Sequence, residues 1–192
     1  MYYAENHFAH RIREANNAAA AFYTKCLVTL PTAGKARAHL RARNLSPESI
    51  RTFALGYAPD YYYGDEAADT SVDAKKKWGQ GSLVEYLSNM GFSPNEIIEA
   101  GLAVRTNKKS KQDVSSDENH DYSDLIDRFR NRVMVPILDS SGTNVIGFGG
   151  RHLDSSGDTE KYTPAKYINS PESAVFKKKV LICVFVTFDI EY

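Results

Sequence analysis

RFRNRVMVPILDSSGTNVIGFGGR, residues 128–151, is the stretch from which the fold is read. Two apolar runs, 133–138 and 145–148, flank an Asp-Ser-Ser-Gly-Thr turn. β-Branched residues on both sides of a turn containing Asp and Gly predict a β-hairpin. Arg128, Arg130 and Arg132 stand two apart just before it. A strand beginning there would carry all three on one face. Gly147, Gly149 and Gly150 strip side chains from the returning strand, which lets a ligand or another strand approach its backbone. Arg151 follows, then Lys166 and Tyr167, then lysines at 177–179. Residues 128–179 hold nine Lys/Arg against five Asp/Glu. Two readings fit. The stretch is a phosphate-binding surface, or it is the solvated face of a twisted strand.

Outward from the hairpin, the chain alternates helices with polar loops. Phe8, Ile12, Ala15, Ala19, Phe22 and Cys26 step at helical spacing and predict a helix over 4–29 that Pro31 ends. A stripe of this kind is core or a docking face. A second helix is expected over 33–43, with Asn44 just past its end. Ser46 caps a third, with Pro47 at its first position. Residues 55–57 read as a short strand. Residues 60–81 form a long polar loop, read as a surface insertion. Ser82 opens a helix that Gly91 stops, and Ser93-Pro-Asn-Glu96 is a capping box. Residues 102–105 are strand-like. Residues 106–122 are charged and nearly free of apolar side chains, and predict a disordered insertion. Residues 154–160 are another polar loop. Ser170-Pro171 predicts a helix start, whose free N–H groups would suit phosphate. The apolar run 180–190 is too short to span a bilayer and, standing alone, would aggregate.

With 192 residues the chain can bury one good core, and 42% hydrophobic with 25% charged residues is ordinary for a globular protein. The net charge is zero. That argues against indiscriminate polyanion binding but leaves room for a local basic groove. The acids balancing it cluster at 60–73 and 113–127. The two cysteines, Cys26 and Cys183, form no metal-binding pair, and no histidine stands at ligand spacing from a carboxylate or cysteine. No secretory leader is read at the N-terminus. These features fit a reducing compartment and no membrane partner.

The hairpin stretch, followed by AKYINSPESAVFKK at 165–178, closely resembles the N-terminal subdomain of the RNA-polymerase core of bacterial, DnaG-like DNA primases. That family carries an RFR-x-R hairpin, then VIGFGGR, then PKYLNSPET and a Phe-x-Lys. The resemblance extends upstream through HLRARNLSPESIRTFALGYAP at 39–59 and GFSPNEIIEAGLAV at 91–104, and covers roughly residues 8–180. The sequence departs in three places. The turn is one residue longer at Thr143-Asn144, Ala165 stands where the family has proline, and the likeness stops after Lys179. Three segments are therefore expected: 1–31 as the end of a linker helix, 32–179 as the basic, template-binding subdomain, and 180–192 as an off-family apolar tail.

The resemblance implies a primer-synthesising enzyme that grips single-stranded DNA template and nucleoside triphosphates. It implies a replicative helicase as partner of the full-length protein, and a location in the cytoplasm and nucleoid, or in an organelle if the source is eukaryotic. It nominates Arg43, Arg151, Lys166, Tyr167, Asn169 and Lys178 for binding. Arg128, Arg130 and Arg132 join them, with at least one of the three expected to be structural. Arginine suits bidentate phosphate contacts. Tyr167 is read either as a stacking platform or as a half-buried core residue. Arg43 has a second role open to it, as a cation favoured at the end of its helix. Nucleotidyl transfer needs Mg²⁺ or Mn²⁺ held by clustered carboxylates. The family keeps these in a TOPRIM domain, so the expectation is that this chain binds no metal, carries no catalytic residue and makes no primers alone. Two other readings stand beside this one: a non-catalytic module that binds single-stranded DNA or nucleotides, and an inert truncated remnant. The expected fold is α+β, with N-terminal helices packed on a small, mostly antiparallel sheet built around the hairpin and including strands near Leu55 and Leu102.

Overall fold

The computed structural model of the chain describes residues 2–60, 81–106, 121–153 and 164–177, with side chains from His7 onward. The predicted insertions at 60–81 and 106–122, the loop at 154–160 and the apolar tail lie largely or wholly outside the described residues, as does Lys178.

The architecture is α+β. Helix α1 (Tyr2–Thr29) leads through a 3-10 turn (Pro31–Ala33) to α2 (Gly34–Ala42) and α3 (Pro47–Thr52). Strand β1 (Gly56–Ala58) follows, then α4 (Leu83–Asn89) and α5 (Pro94–Glu99). The rest is β: β2 (Ala103–Arg105), β3 (Leu125–Asp127), β4 (Arg132–Leu138), β5 (Val145–His152) and β6 (Tyr167–Asn169). The main sheet has the order β1-β4-β5-β6 and every pairing in it is antiparallel. No helix among the described residues is long and apolar enough to cross a membrane.

The helices end where their sequences say they should. Ser46, Ser82 and Ser93 each accept a backbone N–H three residues on, and Glu96 closes the capping box at Ser93. Arg11 ties α1 to the turn between α4 and α5. It donates to Glu96 at 2.8 Å and to Gly91 O at 3.0 Å, and its guanidinium lies over the Phe92 ring.

The two faces of the main sheet are covered differently. Met134 and Phe148 point into the larger core with Ile12, Ala15, Ala19 and Tyr23 of α1 and with residues of α4 and α5. Gly56 brings β1 hard against α1, since a Cβ there would lie 2.5 Å from Tyr23 Cβ. On the opposite face Tyr57 and Val133 pack with Ala36 and Leu40 of α2 and with Leu55 and Leu153.

The structure corrects three expectations. The 102–105 strand does not join the hairpin sheet: β2 pairs with β3 in a separate two-stranded sheet. The three arginines do not share a strand face, because Asn131 takes a left-handed φ of 49° and β4 begins only at Arg132. No helix starts at Ser170. Residues 167–169 form a strand instead, and Ser170 extends its pairing: its N–H donates to Phe148 O and its Oγ accepts from Phe148 N. The chain then turns on Ser173, whose Oγ accepts from Val175 N and Phe176 N, and buries Phe176 against Ile137 and Ile146. Burial of Phe176 outweighs the local Ser-Pro helix signal.

Asp127 carries a second structural duty. Its carboxylate is 2% exposed and accepts from Leu83 N at 2.9 Å and Val84 N at 3.0 Å, so it anchors the first turn of α4 onto β3. Replacing it by Ala strands two buried donors and should cost about 3 kcal/mol, from roughly 1.5 per charge-assisted bond. Urea unfolding of Asp127→Ala measures this. A midpoint equal to wild type would show that the anchor is dispensable.

Candidate nucleic-acid interface

The site lies on the sheet face that α2 only partly covers. Register fixes its membership. Val133 pairs with Arg151, which pairs with Tyr167, and Val135 pairs with Gly149, which pairs with Asn169. Directly paired residues point the same way, so these six side-chain positions share one face. Helix α2 covers the Val133 end and then stops.

Its stop is a Schellman turn. Leu45 N donates to Leu40 O and Asn44 N donates to Arg41 O, with Asn44 in the left-handed region at φ 56°. Leu40 and Leu45 both pack in the smaller core. This turn sets Arg43 at the helix C-terminus. His39 lies one turn earlier on the same side. A pocket results, lined by His39, Leu40, Arg43 and Leu45 from the helix side and by Val133, Val135, Gly149, Arg151 and Tyr167 from the sheet. The floor is apolar and the rim is cationic.

The structure therefore brings Arg43, Arg151 and Tyr167 together. Lys166 sits beside them, exposed, with Nζ 5.4 Å from the centre of the Tyr167 ring. Arg151 Nη1 lies 3.5 Å from His39 Nδ1 and donates to His152 O at 3.4 Å, while its Nε is buried with no partner. The Oδ1 of Asn169 is likewise buried and unpartnered. A donor and an acceptor desolvated without partners are costly unless something else fills them.

The three hairpin arginines lie elsewhere, each in a different setting. Arg130 is exposed. Arg128 is half-buried, its Nε without a partner, and burial pushes its guanidinium below the ordinary value. Arg132 is 5% exposed and works beneath the site. Its Nη1 donates to Gly150 O at 3.2 Å and Ala165 O at 2.9 Å, with Lys166 O at 3.4 Å. It thus fastens the segment that delivers Lys166 and Tyr167. The three glycines also divide. Gly147 makes room for Ser170 and Phe176, Gly150 makes room for Phe129, and only Gly149 opens onto the pocket. His39 is the pocket residue that the sequence reading missed. Its signal was present, at helical i,i+4 spacing before Arg43.

A divalent metal does not fit these residues. Cationic and aromatic groups ring the pocket, and among the described residues no group of three or more His, Cys, Asp or Glu side chains gathers. Three carboxylates close to the hairpin strands in sequence are engaged elsewhere. Both oxygens of Asp124 accept from Arg105 Nη1 at 2.8 Å. Asp127 holds α4. Asp139 accepts from Ser141 Oγ, from Asn144 Nδ2 and from the N–H groups of Thr143 and Asn144, which hold it far below the ordinary carboxylate range.

The chain is thus a small α+β unit with a pocket on one sheet face, edged by Arg43, Arg151 and Tyr167. The family follows from the comparisons. The sequence profile of the DNA primase catalytic core, N-terminal domain, matches residues 22–187, and the chain belongs to that family. The DNA primase of Clostridium acetobutylicum is 34% identical over 178 residues, 92% of this chain and 22% of that protein. The DNA primase of Deinococcus radiodurans is 37% identical over 149 residues, 78% of this chain and 19% of that protein. This chain thus spans about a fifth of the length of these relatives. Among solved structures, the RNA polymerase domain of Mycobacterium tuberculosis primase DnaG, in complex with a double-stranded DNA oligomer with a 6-nucleotide overhang, superposes with a TM-score of 0.64 at 31% identity. That match covers 88% of this chain and 40% of the other. A DnaG primase catalytic domain bound to single-stranded DNA gives 0.59 at 31% identity, covering 90% and 41%.

Arg132 and Arg130 make a direct test of placement. Arg132→Ala removes a buried guanidinium that joins β5 to the segment before β6 and should lower stability by about 2–4 kcal/mol. Arg130→Ala should leave the unfolding midpoint unchanged. Equal midpoints for the two variants would contradict the burial of Arg132.

Proposed function

We propose that this chain is the template- and nucleotide-gripping part of a primase that makes short RNA primers on single-stranded DNA. One observation carries the reading. Arg43, Arg151 and Tyr167, from three separate elements, converge on one pocket with no carboxylate among its lining residues. Arginine guanidinium groups bind phosphate in bidentate fashion, and Lys166 adds a flexible point charge. The Tyr167 ring offers a surface for a base. Gly149 lets the backbone of a ligand approach the sheet. Asn169 Oδ1, an acceptor still lacking a donor, suits an N–H or hydroxyl of a nucleotide. Lys178 extends the same basic set along the sequence.

The likeness to a DnaG catalytic domain bound to single-stranded DNA supports the same assignment. Nucleoside triphosphates are the second ligand of this reading, and a replicative helicase is the partner of the longer protein. Mg²⁺ or Mn²⁺ belongs to carboxylates outside the residues described. The part played here is to bind and orient phosphate, not to clamp metal.

Anisotropy of a labelled single-stranded oligonucleotide across a salt series tests this. Affinity should fall linearly on a log–log scale as salt rises. Arg151→Ala and Lys166→Ala should each weaken binding several-fold and flatten the slope by about 0.7 for each phosphate that the variant leaves unneutralised. Unchanged affinity in both variants would sink the groove reading. In a template-directed assay with Mg²⁺ or Mn²⁺ the 192-residue chain alone should yield no labelled RNA. Product from it would return attention to Asp124, Asp127 and Asp139.

A further inference from the structure

We infer that His39 is a positioning residue for Arg151 that makes the pocket's hold on nucleic-acid phosphate depend on pH. When neutral it accepts a hydrogen bond from Arg151. When protonated it joins Arg151 in holding a phosphate oxygen. The inference rests on the phosphate-gripping reading of the pocket and adds a regulated element to it.

The geometry is specific. His39 Nδ1 and Arg151 Nη1 are 3.5 Å apart, at the outer reach of a hydrogen bond. Guanidinium nitrogens only donate, so a hydrogen bond here needs Nδ1 as acceptor, on a neutral imidazole with its proton on Nε2. The bond crosses from α2 to β5 and restrains the outer end of Arg151. Arg151 Nε is buried with no partner, so the guanidinium still has a donor to place.

Among the described residues, the charged groups around His39 are cationic, and a bound phosphate gives the sign of the effect. On α2, Arg43 lies one turn ahead and Lys35 one turn behind. Arg151 faces it from β5. From β6 and its approach come Tyr167 and Lys166. No carboxylate lines the pocket among the described residues. A phosphate in the pocket brings negative charge to a cationic rim, so binding and protonation of His39 favour each other and must do so reciprocally. Histidine is the side chain whose charge is most readily changed by such neighbours.

The experiment uses the whole chain and a labelled single-stranded oligonucleotide at pH 8.0 and at about pH 5.8, where ordinary imidazole is mostly protonated. Wild type should bind about fivefold more tightly at the lower pH, and its log–log salt slope should steepen by about 0.7, the value of one further neutralised phosphate. His39→Gln keeps an acceptor for Arg151 but cannot take up a proton. Whatever its affinity at pH 8.0, it should show neither the gain nor the steepening at the lower pH. His39→Phe should bind more weakly at both pH values. A measurement on wild type needs no variant: at pH 7 the His39 imidazole nitrogen resonances should move from the neutral toward the protonated pattern when oligonucleotide is added. The inference is overturned if His39→Gln keeps the full low-pH gain, or if the His39 resonances stay neutral in the complex. If Arg151→Ala and Lys166→Ala bind like wild type at both pH values, the pocket reading itself has failed. If they weaken binding while His39→Gln titrates like wild type, only the role of His39 falls.

Discussion

The register of β4, β5 and β6 is the constraint on which the site depends. Side chains alternate across a strand, so a slip of one residue exchanges the two faces completely. In the observed register Phe148 and Met134 enter the larger core, while Arg151 and Tyr167 emerge beside Val133. Shifted by one, Phe148 would meet water and a guanidinium would meet Tyr23. The aromatic contacts of Phe148 with Tyr23 and Phe129, both edge-on, therefore hold the register. The site inherits its geometry from the core on the opposite face of the sheet.

What α2 leaves uncovered is equally determined. The Schellman turn ends the helix at Arg43, and Leu40 and Leu45 pin that turn to the sheet. One more helical turn would have spread over the face where Arg151 and Tyr167 emerge. An earlier stop would have left Val133 and Val135 bare. The pocket has an apolar floor because the sheet face is core at one end, and a cationic rim because the helix C-terminus favours positive charge. Arg43 thus suits the helix end and the pocket at once, so its two candidate roles do not compete.

Much of this was legible in the sequence, for identifiable reasons. The hairpin, the Ser caps and the Gly stops are local signals, and the local chain obeys them. One failure is local and the others are non-local. Asn131 breaks the run of three arginines through a single left-handed residue that period-two counting cannot see. Ser170-Pro171 has the chemistry of a helix start, yet Phe148 and Phe176 draw that segment into the sheet and the core. Strand β2 was recognisable as a strand, but which sheet it joins depends on β3, 19 residues away at the Arg105–Asp124 bond. His39 meets Arg151, which is 112 residues distant in the sequence. Spacing along a helix could have placed it beside Arg43, but nothing local could have placed it beside β5.

Zero net charge and a cationic pocket coexist because none of the residues lining the pocket is an acid. Asp124 is held by Arg105, Asp127 by the first N–H groups of α4, and Asp139 by its own turn. Each carboxylate gains by these bonds. The absence of acids from the pocket lining is consistent with the proposed grip on phosphate. A carboxylate cluster that concentrates divalent cations would cancel the field that Arg43, Arg151 and Lys166 create if it shared their pocket. A polymerase needs both fields acting on one nucleotide from different sides. Building them on separate structural units lets each keep its sign, and the nucleotide phosphates can then bridge the two.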